Sequence, residues 1–370
     1  MNRRKLMLAC AALTSVTALP ACAQNTGGKP YTTKVHAKGL EQPWGMAFLP
    51  DGRLLVTEKS GRLRIVSADG RMMQTIGGVP KVVDIGQGGL LDVVVDPAFT
   101  KNGFIYLSYS EADSTGKSGT AVARAKLEGH SLLGLKVIWQ QTPKVNSPNH
   151  WGSRLAFAKD GNLFITTGDR ASFRNLAQDL STTVGKVVRI RPDGSIPADN
   201  PFAKQAGAKP EIWSYGHRNV QGAAIHPQTG QLWTNEHGPQ GGDEINITQA
   251  GKNYGWPVIT YGEEYGGGKI GVTQKAGLEQ PLHYWVPSIA PSDMLFYIGK
   301  HKVWQNKLFI GSLKFQYLNM ITLTNGKVTK QEKLLEEFNE RVRAVAQGPD
   351  GALYVAFDSV DGRIIRVQPK

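Results

Sequence analysis

Cysteine is nearly absent from this sequence of 370 residues, which has only Cys10 and Cys22, both near its beginning. If the first 23 residues are removed as a leader, the mature chain contains no cysteine at all. Such a chain needs no disulfide, and it carries neither a catalytic thiol nor a zinc site with cysteine ligands. Thiol enzymes and cysteine-ligated zinc proteins are therefore excluded.

Long hydrophobic runs are also missing, and the one apolar stretch belongs to a signal peptide. Positive residues 3–5 precede the apolar stretch at 6–19, and Ala21-Cys22-Ala23 supplies a small-residue cleavage pattern. The stretch is too short to span a bilayer as a mature helix. We therefore expect cleavage after Ala23, export to the periplasm and no membrane span. An imperfect lipobox at 19–22 leaves a lipid anchor on Cys22 open, and residues 3–4 leave the Sec and twin-arginine routes both open.

Basic residues are in excess but are not clustered. The formal net charge is +13, and the leader supplies three of these charges, which leaves +10 on the mature chain. Lysines and arginines are dispersed, with no run longer than the three in the leader. Nucleic-acid binders concentrate positive charge on one face, and export argues against such a partner as well. We expect no nucleic-acid partner, and an anionic small ligand or general surface charge accounts for the excess.

No sustained 3.6-residue apolar period appears outside the leader, whereas one β-hairpin pattern recurs. An apolar strand leads into a Pro/Asp/Gly turn and then a second alternating strand, with turns starting near residues 50, 96, 159, 226 and 349. The widest gap has room for a sixth unit, with strands at Met294–Tyr297 and Lys307–Ile310. Strand-built repeats of roughly 45 to 70 residues predict propeller blades. The expected fold is all-β: one six-bladed β-propeller of four-stranded antiparallel blades over residues 24–370, with a β-sandwich as the alternative.

A histidine and an aspartate in the third repeat suggest acid–base chemistry. His150 lies at the start of one predicted strand, and Asp169 lies at the end of its hairpin partner. A carboxylate beside a histidine fixes the tautomer of the ring and raises its basicity, which produces a general base. A lone histidine is more often structural, so the interpretation depends on this pairing.

Other polar segments predict an anion pocket and leave a cation site open. Arg218 and Asn219 follow a Tyr-Gly-His sequence, and Lys314, Arg341 and Arg343 come from later repeats. Alternate residues of a strand point the same way, so the last two arginines can converge on one multiply charged acid. The segment from Glu236 to Glu244, followed by residues 253–257, offers carboxylates and turn carbonyls of the kind that bind calcium. Its composition fits a plain polar turn equally well.

Taken together, these segments resemble the soluble quinoprotein glucose/sorbosone dehydrogenase family, particularly its periplasmic aldose sugar dehydrogenases. The resemblance runs from about Leu40 to Val367. It rests on a set of motifs in the right order: Gln87-Gly88-Gly89-Leu90-Leu91, Asn149-His150, Gly152 with Arg154-Leu155, Tyr215-Gly216-His217-Arg218-Asn219, Glu236-His237-Gly238-Pro239 and Asn253-Tyr254-Gly255-Trp256-Pro257. One motif alone is a weak signal, whereas the combination is specific.

The resemblance implies a six-bladed propeller that binds pyrroloquinoline quinone (PQQ) and calcium and oxidises C1 of an aldose to the lactone. By that resemblance His150 is the base, Asp169 orients it and Gln87 contacts the reacting hydroxyl. Residues matching the cofactor contacts are Arg218, Asn219, Lys314, Arg341 and Arg343. Matching calcium ligands are the carbonyls of Gly238 and Pro239, with Glu244 and the carbonyl of Tyr254 at a second site. An external electron acceptor is also implied, although the sequence does not identify it.

Two residues depart from a glucose-oxidising relative. Asn149 stands where that relative has aspartate, and His237 stands where it has glutamine. The resemblance therefore predicts an aldose without naming the sugar. Two other functions remain as alternatives. One is a calcium-dependent propeller lactonase or other hydrolase, which would need a central calcium held by carboxylates. The other is an exported binding propeller without catalysis.

Overall fold

The computed structural model describes residues 29–370, which contain six antiparallel sheets of four strands each. Residues Tyr31–Lys370 form one compact unit. Named from the inside outwards, the strands of the first three blades are β2 (Pro43–Phe48), β3 (Leu54–Glu58), β4 (Arg62–Val66) and β5 (Met73–Ile76); β6 (Leu90–Val95), β7 (Phe104–Ala112), β8 (Ser118–Glu128) and β9 (Ser131–Gln140); β10 (Gly152–Phe157), β11 (Leu163–Thr167), β12 (Lys186–Ile190) and β13 (Ile212–Tyr215).

Those of the last three are β14 (Val220–Ile225), β15 (Leu232–Glu236), β16 (Asp243–Thr248) and β17 (His283–Trp285); β18 (Pro291–Phe296), β19 (Lys307–Ser312), β20 (Tyr317–Thr324) and β21 (Lys327–Leu334); β22 (Val342–Gln347), β23 (Leu353–Phe357), β24 (Gly362–Pro369) and β1 (Tyr31–Leu40). Helical segments within the described residues are short: α1 (Phe99–Asn102) and 3-10 turns at Arg174–Gln178, Lys302–Trp304 and Glu336–Phe338. No helix in this part of the chain is long and apolar enough to cross a bilayer.

The predicted six-bladed propeller is confirmed, and the sandwich alternative is wrong. Each innermost strand contacts the innermost strands of both neighbouring blades, and β22 contacts β2, so the six blades close into a ring. The sixth hairpin, expected between residues 226 and 349, is β18 with β19. The ring is closed by β1, which pairs with β24 at the other end of the chain. The predicted leader, the cleavage expected after Ala23 and the lipid anchor left open at Cys22 lie outside the described residues.

Buried apolar side chains are grouped at the interfaces between adjacent blades rather than in one central core. The cluster between the first two blades, for example, joins Leu55 and Ile65 to Ile105 and Leu107. Alternating strand residues supply these interfaces, because each blade is covered on both faces and both faces must be apolar. The innermost strands are thereby left to line the central axis with polar groups.

All six innermost strands carry a register shift near their start. Residues that lie in this shift or directly after it are, in blade order, Gly45, Asp92, Arg154, Gly222, Asp293 and Ala344. Small residues make room for the charged ones: a Cβ on Gly45 would lie 2.7 Å from Asp92 Oδ1. Arg154 Nη1 donates to Asp92 Oδ1 at 2.8 Å, and its Nε lies 3.4 Å from Asp293 Oδ1. We call Asp92, Arg154 and Asp293 the axial ion cluster.

Candidate active site

His150 and Asp169 are brought together as the sequence predicted. Asp169 follows β11, and its Oδ1 lies 2.6 Å from Nδ1 of His150. A carboxylate at that distance accepts the Nδ1 proton, so the neutral ring keeps its lone pair on Nε2. Burial lowers the pKa of His150 below its usual value, and the Arg218 guanidinium adds to this, against an upward contribution from Asp169. His150 is therefore neutral near pH 7, as a general base must be.

Two further hydrogen bonds fix the Asp169 carboxylate. Oδ1 also accepts the Ala171 N–H at 2.7 Å, and Oδ2 accepts the Trp256 indole N–H at 2.7 Å. Only 1% of its side chain is exposed, against 13% for that of His150. Because every lone-pair direction but one is occupied by a fixed donor, the carboxylate holds the imidazole in one orientation.

Two cavities lie beside the segment that carries His150: Asn149 and His150 line one, and Trp151 and Gly152 line the other. An open cleft of about 510 Å³ is lined by Asn149, His150, Asp169, Arg218 and Pro239, among others. A more enclosed cavity of about 210 Å³ is lined by residues of several blades: Gln42, Trp44, Lys59, Gly86, Gln87, Trp151, Gly152, Asn219, Gln221, His237, Leu313, Arg341, Arg343 and Asp358. Gln87 joins the two, since its Oε1 accepts the His150 backbone N–H at 2.8 Å. Gln87 thus holds the base in place.

The enclosed cavity carries an excess of positive charge, and two arginine donors, one in its lining and one in that of the open cleft, have no partner among the described residues. Arg343 Nη2 lies 2.9 Å from Asp358 Oδ2, and Arg341 Nη2 lies 3.3 Å from the same atom. Although burial acts to raise it, the Arg343 guanidinium holds the pKa of Asp358 below its usual range. Among the described residues, Nε of Arg343 and Nε of Arg218 are buried without a hydrogen-bond partner. Buried unpaired donors of this kind are satisfied by an anionic ligand.

Asn219 and His237 supply neutral polar groups to the same cavity. Asn219 Oδ1 accepts the Gly152 N–H at 3.1 Å and the Gln221 amide at 3.2 Å. Burial lowers the pKa of His237 to about 3. Its Nε2 lies 2.8 Å from the Pro291 carbonyl oxygen and therefore donates, which leaves Nδ1 as an acceptor.

Unlike the other predicted cofactor contacts, Lys314 lines neither the enclosed cavity nor the open cleft. It is exposed in the turn after β19, and its Nζ is 5.3 Å from the centre of the Phe315 ring. Its neighbour Leu313 lines the cavity instead. The role of Lys314 as a cofactor contact stays a prediction.

The predicted calcium ligands lie in one polar loop and the cavity beside it. No hydrogen bond within residues 29–370 ends on the carbonyl oxygen of Gly238 or Pro239. A Cβ on Gly238 would lie 2.2 Å from the Gly241 carbonyl oxygen, so the tight loop requires glycine there. Glu244, Tyr254 and Gly238 line a cavity of about 10 Å³, room for one water-sized body.

Glu244 brings a buried carboxyl group to that small cavity. Burial and the nearby Glu236 carboxylate raise the pKa of Glu244 to about 8. The described residues contain no group of three or more His, Cys, Asp or Glu side chains that could hold a metal. A cation here would therefore depend on backbone carbonyls with Glu244, the donor set that calcium accepts. The residues present fit both a calcium ion and a polycarboxylate cofactor.

Comparison with known proteins agrees with this geometry. Residues 40–366 match the glucose/sorbosone dehydrogenase family model. The chain belongs to this family. It is 46% identical to aldose sugar dehydrogenase YliI of Escherichia coli, over 90% of this chain and 91% of that protein. It is 29% identical to quinoprotein glucose dehydrogenase B of Acinetobacter calcoaceticus, over 89% and 86% of the two chains.

Solved structures of aldose sugar dehydrogenases are similar to this chain over most of its length. The apo form of the soluble E. coli aldose sugar dehydrogenase superposes with a TM-score of 0.89 at 45% identity, covering 92% of this chain and 100% of that one. The PQQ-bound aldose sugar dehydrogenase of Streptomyces coelicolor gives 0.76 at 29% identity, covering 92% and 98%. The predicted family and the prediction of an oxidoreductase are confirmed.

The sequence analysis did not identify several residues that line the enclosed cavity of this dehydrogenase. Trp44, Gln221 and Asp358 all line the enclosed cavity. Trp44 and Gln221 also rest on the axial ion cluster, since the Arg154 guanidinium lies 4.2 Å from the Trp44 ring and its Nε donates to the Gln221 carbonyl. The paired arginines at 341 and 343 were the one signal for Asp358, because two cations that converge from one strand favour a nearby counter-charge.

Proposed function

We propose that this protein oxidises aldose sugars at the C1 hydroxyl, giving the lactone, with PQQ and calcium bound in the cavities described above. The observation that carries the proposal is the His150–Asp169 pair in an open cleft, with a cationic enclosed cavity lined by the residues that follow His150. The family membership and the names of two quinone-containing relatives support it.

Each group of the site has a place in this reaction. His150 Nε2 takes the proton of the sugar hydroxyl, and Asp169 keeps Nδ1 protonated and stabilises the imidazolium that forms. The cofactor, when bound, supplies the hydride acceptor, and calcium and nearby cations increase its electrophilicity. Arg218, Arg341 and Arg343 would hold the cofactor carboxylates, with Asn219 beside them, and Lys314 is proposed as a further contact. The carbonyls of Gly238 and Pro239 would hold its calcium, and Glu244 with the Tyr254 carbonyl a second one.

The substrate side remains broad within the aldoses. Asn149 and His150 line the open cleft, and its volume of about 510 Å³ exceeds that of the enclosed cavity. A cleft of this size accommodates different sugar rings beside one base. Turnover requires an external electron acceptor, because hydride transfer leaves the cofactor reduced. We also propose that the leader at residues 1–23 exports the chain to the periplasm. There the protein would meet its sugar and its electron acceptor.

A hydrolase is less compatible with the axis of the propeller. The central carboxylates Asp92 and Asp293 are buried, and Arg154 lies between them. Burial raises the pKa of Asp92 to about 6, and the Arg154 charge opposes that rise. Carboxylates already bonded to a guanidinium and to backbone N–H groups are poor ligands for a catalytic cation.

Reconstitution tests the proposal. The apo-protein is mixed with PQQ and calcium, and reduction of a dye is followed with several aldoses, with each component omitted in turn. We expect aldose-dependent reduction that needs both additions, and a loss of about 10²–10⁴-fold in kcat for His150→Ala. The matched control is His130→Ala, which changes an exposed histidine between β8 and β9. Absence of aldose-dependent reduction, or full activity of His150→Ala, would overturn the proposal, and lactone hydrolysis with calcium alone would favour the hydrolase.

A further inference from the structure

Arg170 is a buried charge that the proposed reaction does not use. It follows Asp169 directly and has no measurable exposure, and its side chain is among the largest fully buried ones of the described residues. Burial lowers the pKa of Arg170 to about 9, against an upward contribution from Asp169. Its hydrogen bonds go to neutral oxygen atoms: the carbonyls of Asn149 and Ser147, and the Ser118 hydroxyl. Burying a guanidinium on neutral partners costs stability, so its retention requires a reason.

Apart from the Ser118 hydroxyl, the partners of Arg170 belong to residues 147–151, around His150. Nη1 donates to the Asn149 carbonyl at 2.9 Å, and Nη2 donates to the Ser147 carbonyl. The guanidinium stacks 3.3 Å from the centre of the Trp151 ring. The Arg170 guanidinium therefore contacts three residues around the base: Asn149 before it, Trp151 after it, and Ser147 further upstream.

Both chain segments at this contact contain left-handed backbone. His150, in the segment held by Arg170, has φ of 54°, and Arg170 and Ala171, in the segment that holds it, have φ of 57° and 56°. Non-glycine residues are strained in this region and persist only where surrounding contacts fix them. The intervening Pro148 carbonyl is also fixed, by the Trp151 indole at 3.0 Å and the Gln87 N–H at 2.9 Å.

We propose that Arg170 is a positioning residue: its guanidinium fixes the backbone of residues 147–149 so that the His150 ring meets Asp169 and presents Nε2 to the cleft. Asp169 and Arg170 then divide the task, with the carboxylate orienting the ring and the guanidinium orienting the backbone that carries it. The consequence for turnover rests on the function proposed above, whereas the positioning itself concerns the free protein.

The test compares Arg170→Met and Arg170→Lys with Arg189→Met. Methionine keeps the apolar length over Trp151 but removes the guanidinium, and lysine keeps the charge but contacts one carbonyl at a time. Arg189 is a matched control, since it is also buried, lies 4.7 Å from the Trp213 ring and hydrogen-bonds Asn200 at 2.8 Å, away from the site. We expect both methionine variants to lower Tm, and only Arg170→Met to lower kcat, by about 100-fold, with the sugar KM nearly unchanged.

A second readout does not depend on turnover. In apo-protein labelled with ¹⁵N-histidine, His150 is assigned by the signal that His150→Ala removes. We expect one Nδ1–H tautomer in the unaltered protein and in Arg189→Met. In Arg170→Met we expect mixed tautomers and a His150 pKa that moves up towards its usual value, because the ring gains solvent and loses a nearby positive charge.

The outcomes separate the two proposals. Unchanged His150 signals together with a kcat loss no larger than that of Arg189→Met would overturn the role of Arg170. Loss of the single tautomer in a protein without any aldose oxidation would support that role and contradict the proposed function. If Arg170→Met does not fold, Arg170→Lys gives the same comparison, with an intermediate loss of kcat expected.

Discussion

Blades 3 and 4 carry the same pair of side chains at the same place. In each blade a histidine precedes the innermost strand, and a carboxylate 19 residues later ends the second strand: His150 with Asp169, and His217 with Glu236. The Nδ1-to-oxygen distances are 2.6 and 2.9 Å. The pairing chemistry is thus shared.

What differs is the other nitrogen of each ring. His150 lines the open cleft with Nε2, whereas Nε2 of His217 lies 2.8 Å from Ser214 Oγ and the ring is fully buried against Tyr254. Ser214, His217 and Glu236 therefore form the hydrogen-bonded chain of a serine hydrolase triad, but Ser214 is fully buried as well. Access, rather than pairing, decides which histidine can act as a base, and the second pair instead braces the backbone N–H of Arg218, which Glu236 accepts at 2.6 Å.

The sharpest way to break the comparison is to remove one charge from each carboxylate. Asp169→Asn lets the His150 tautomer reverse, so Nε2 becomes protonated, and kcat is expected to fall about 10³–10⁴-fold. Glu236→Gln permits the same reversal at His217, where Ser214 accepts a proton as readily as it donates one, and kcat is expected to fall less than about tenfold. Steady-state rates of the reconstituted variants measure both. Equal losses would show that the two pairs serve the same purpose.

The free energy of unfolding should depend more on the His217–Glu236 pair than on the His150–Asp169 pair. His217→Phe leaves the buried Glu236 carboxylate without one of its donors, and we expect the free energy of unfolding to fall by about 2–3 kcal/mol. His150→Phe leaves Asp169 with the Ala171 and Trp256 donors, and a loss below about 1 kcal/mol is expected. Denaturant titration of the apo-proteins gives both values. The comparison fails if the His150 variant is the less stable of the two.

The smallest expected effect is on the pH dependence of activity. In the proposed reaction the neutral form of His150 is the active one, and the pKa of His150 lies below the usual histidine value, mainly because the ring is buried. Activity should therefore be retained as pH falls through about 6.5 and be lost only in more acidic solution. Because Asp169 contributes upwards, the residual activity of Asp169→Asn should persist to still lower pH. An acid limb of kcat/KM at or above pH 6.5 in the unaltered enzyme would contradict the assignment of the base.

The sequence predicted those parts of the molecule that leave a local signal. Alternating strands and Pro/Asp/Gly turns predicted the hairpins, and the spacing predicted six blades. The pairing of β1 with β24 left no such signal, because its two strands lie at opposite ends of the chain. At the site, His150 and Asp169 were predicted because a hairpin relates them, whereas Asp358 and Trp44 reach the cavity from other blades as single residues without a motif. Arg170 is next to Asp169 in the sequence, but its side chain points away from the cleft. No sequence pattern indicates the direction of a single side chain.

The closing strand has a consequence for the life of the chain. The lining of the enclosed cavity draws on residues from Gln42 to Asp358, and the last blade is incomplete until Tyr31 meets Pro369. Pairings between such distant residues form late, since the whole intervening chain must be ordered first. A chain in which β1 has not yet paired with β24 therefore lacks the complete cavity lining. On the function proposed above, only the closed ring would bind the cofactor.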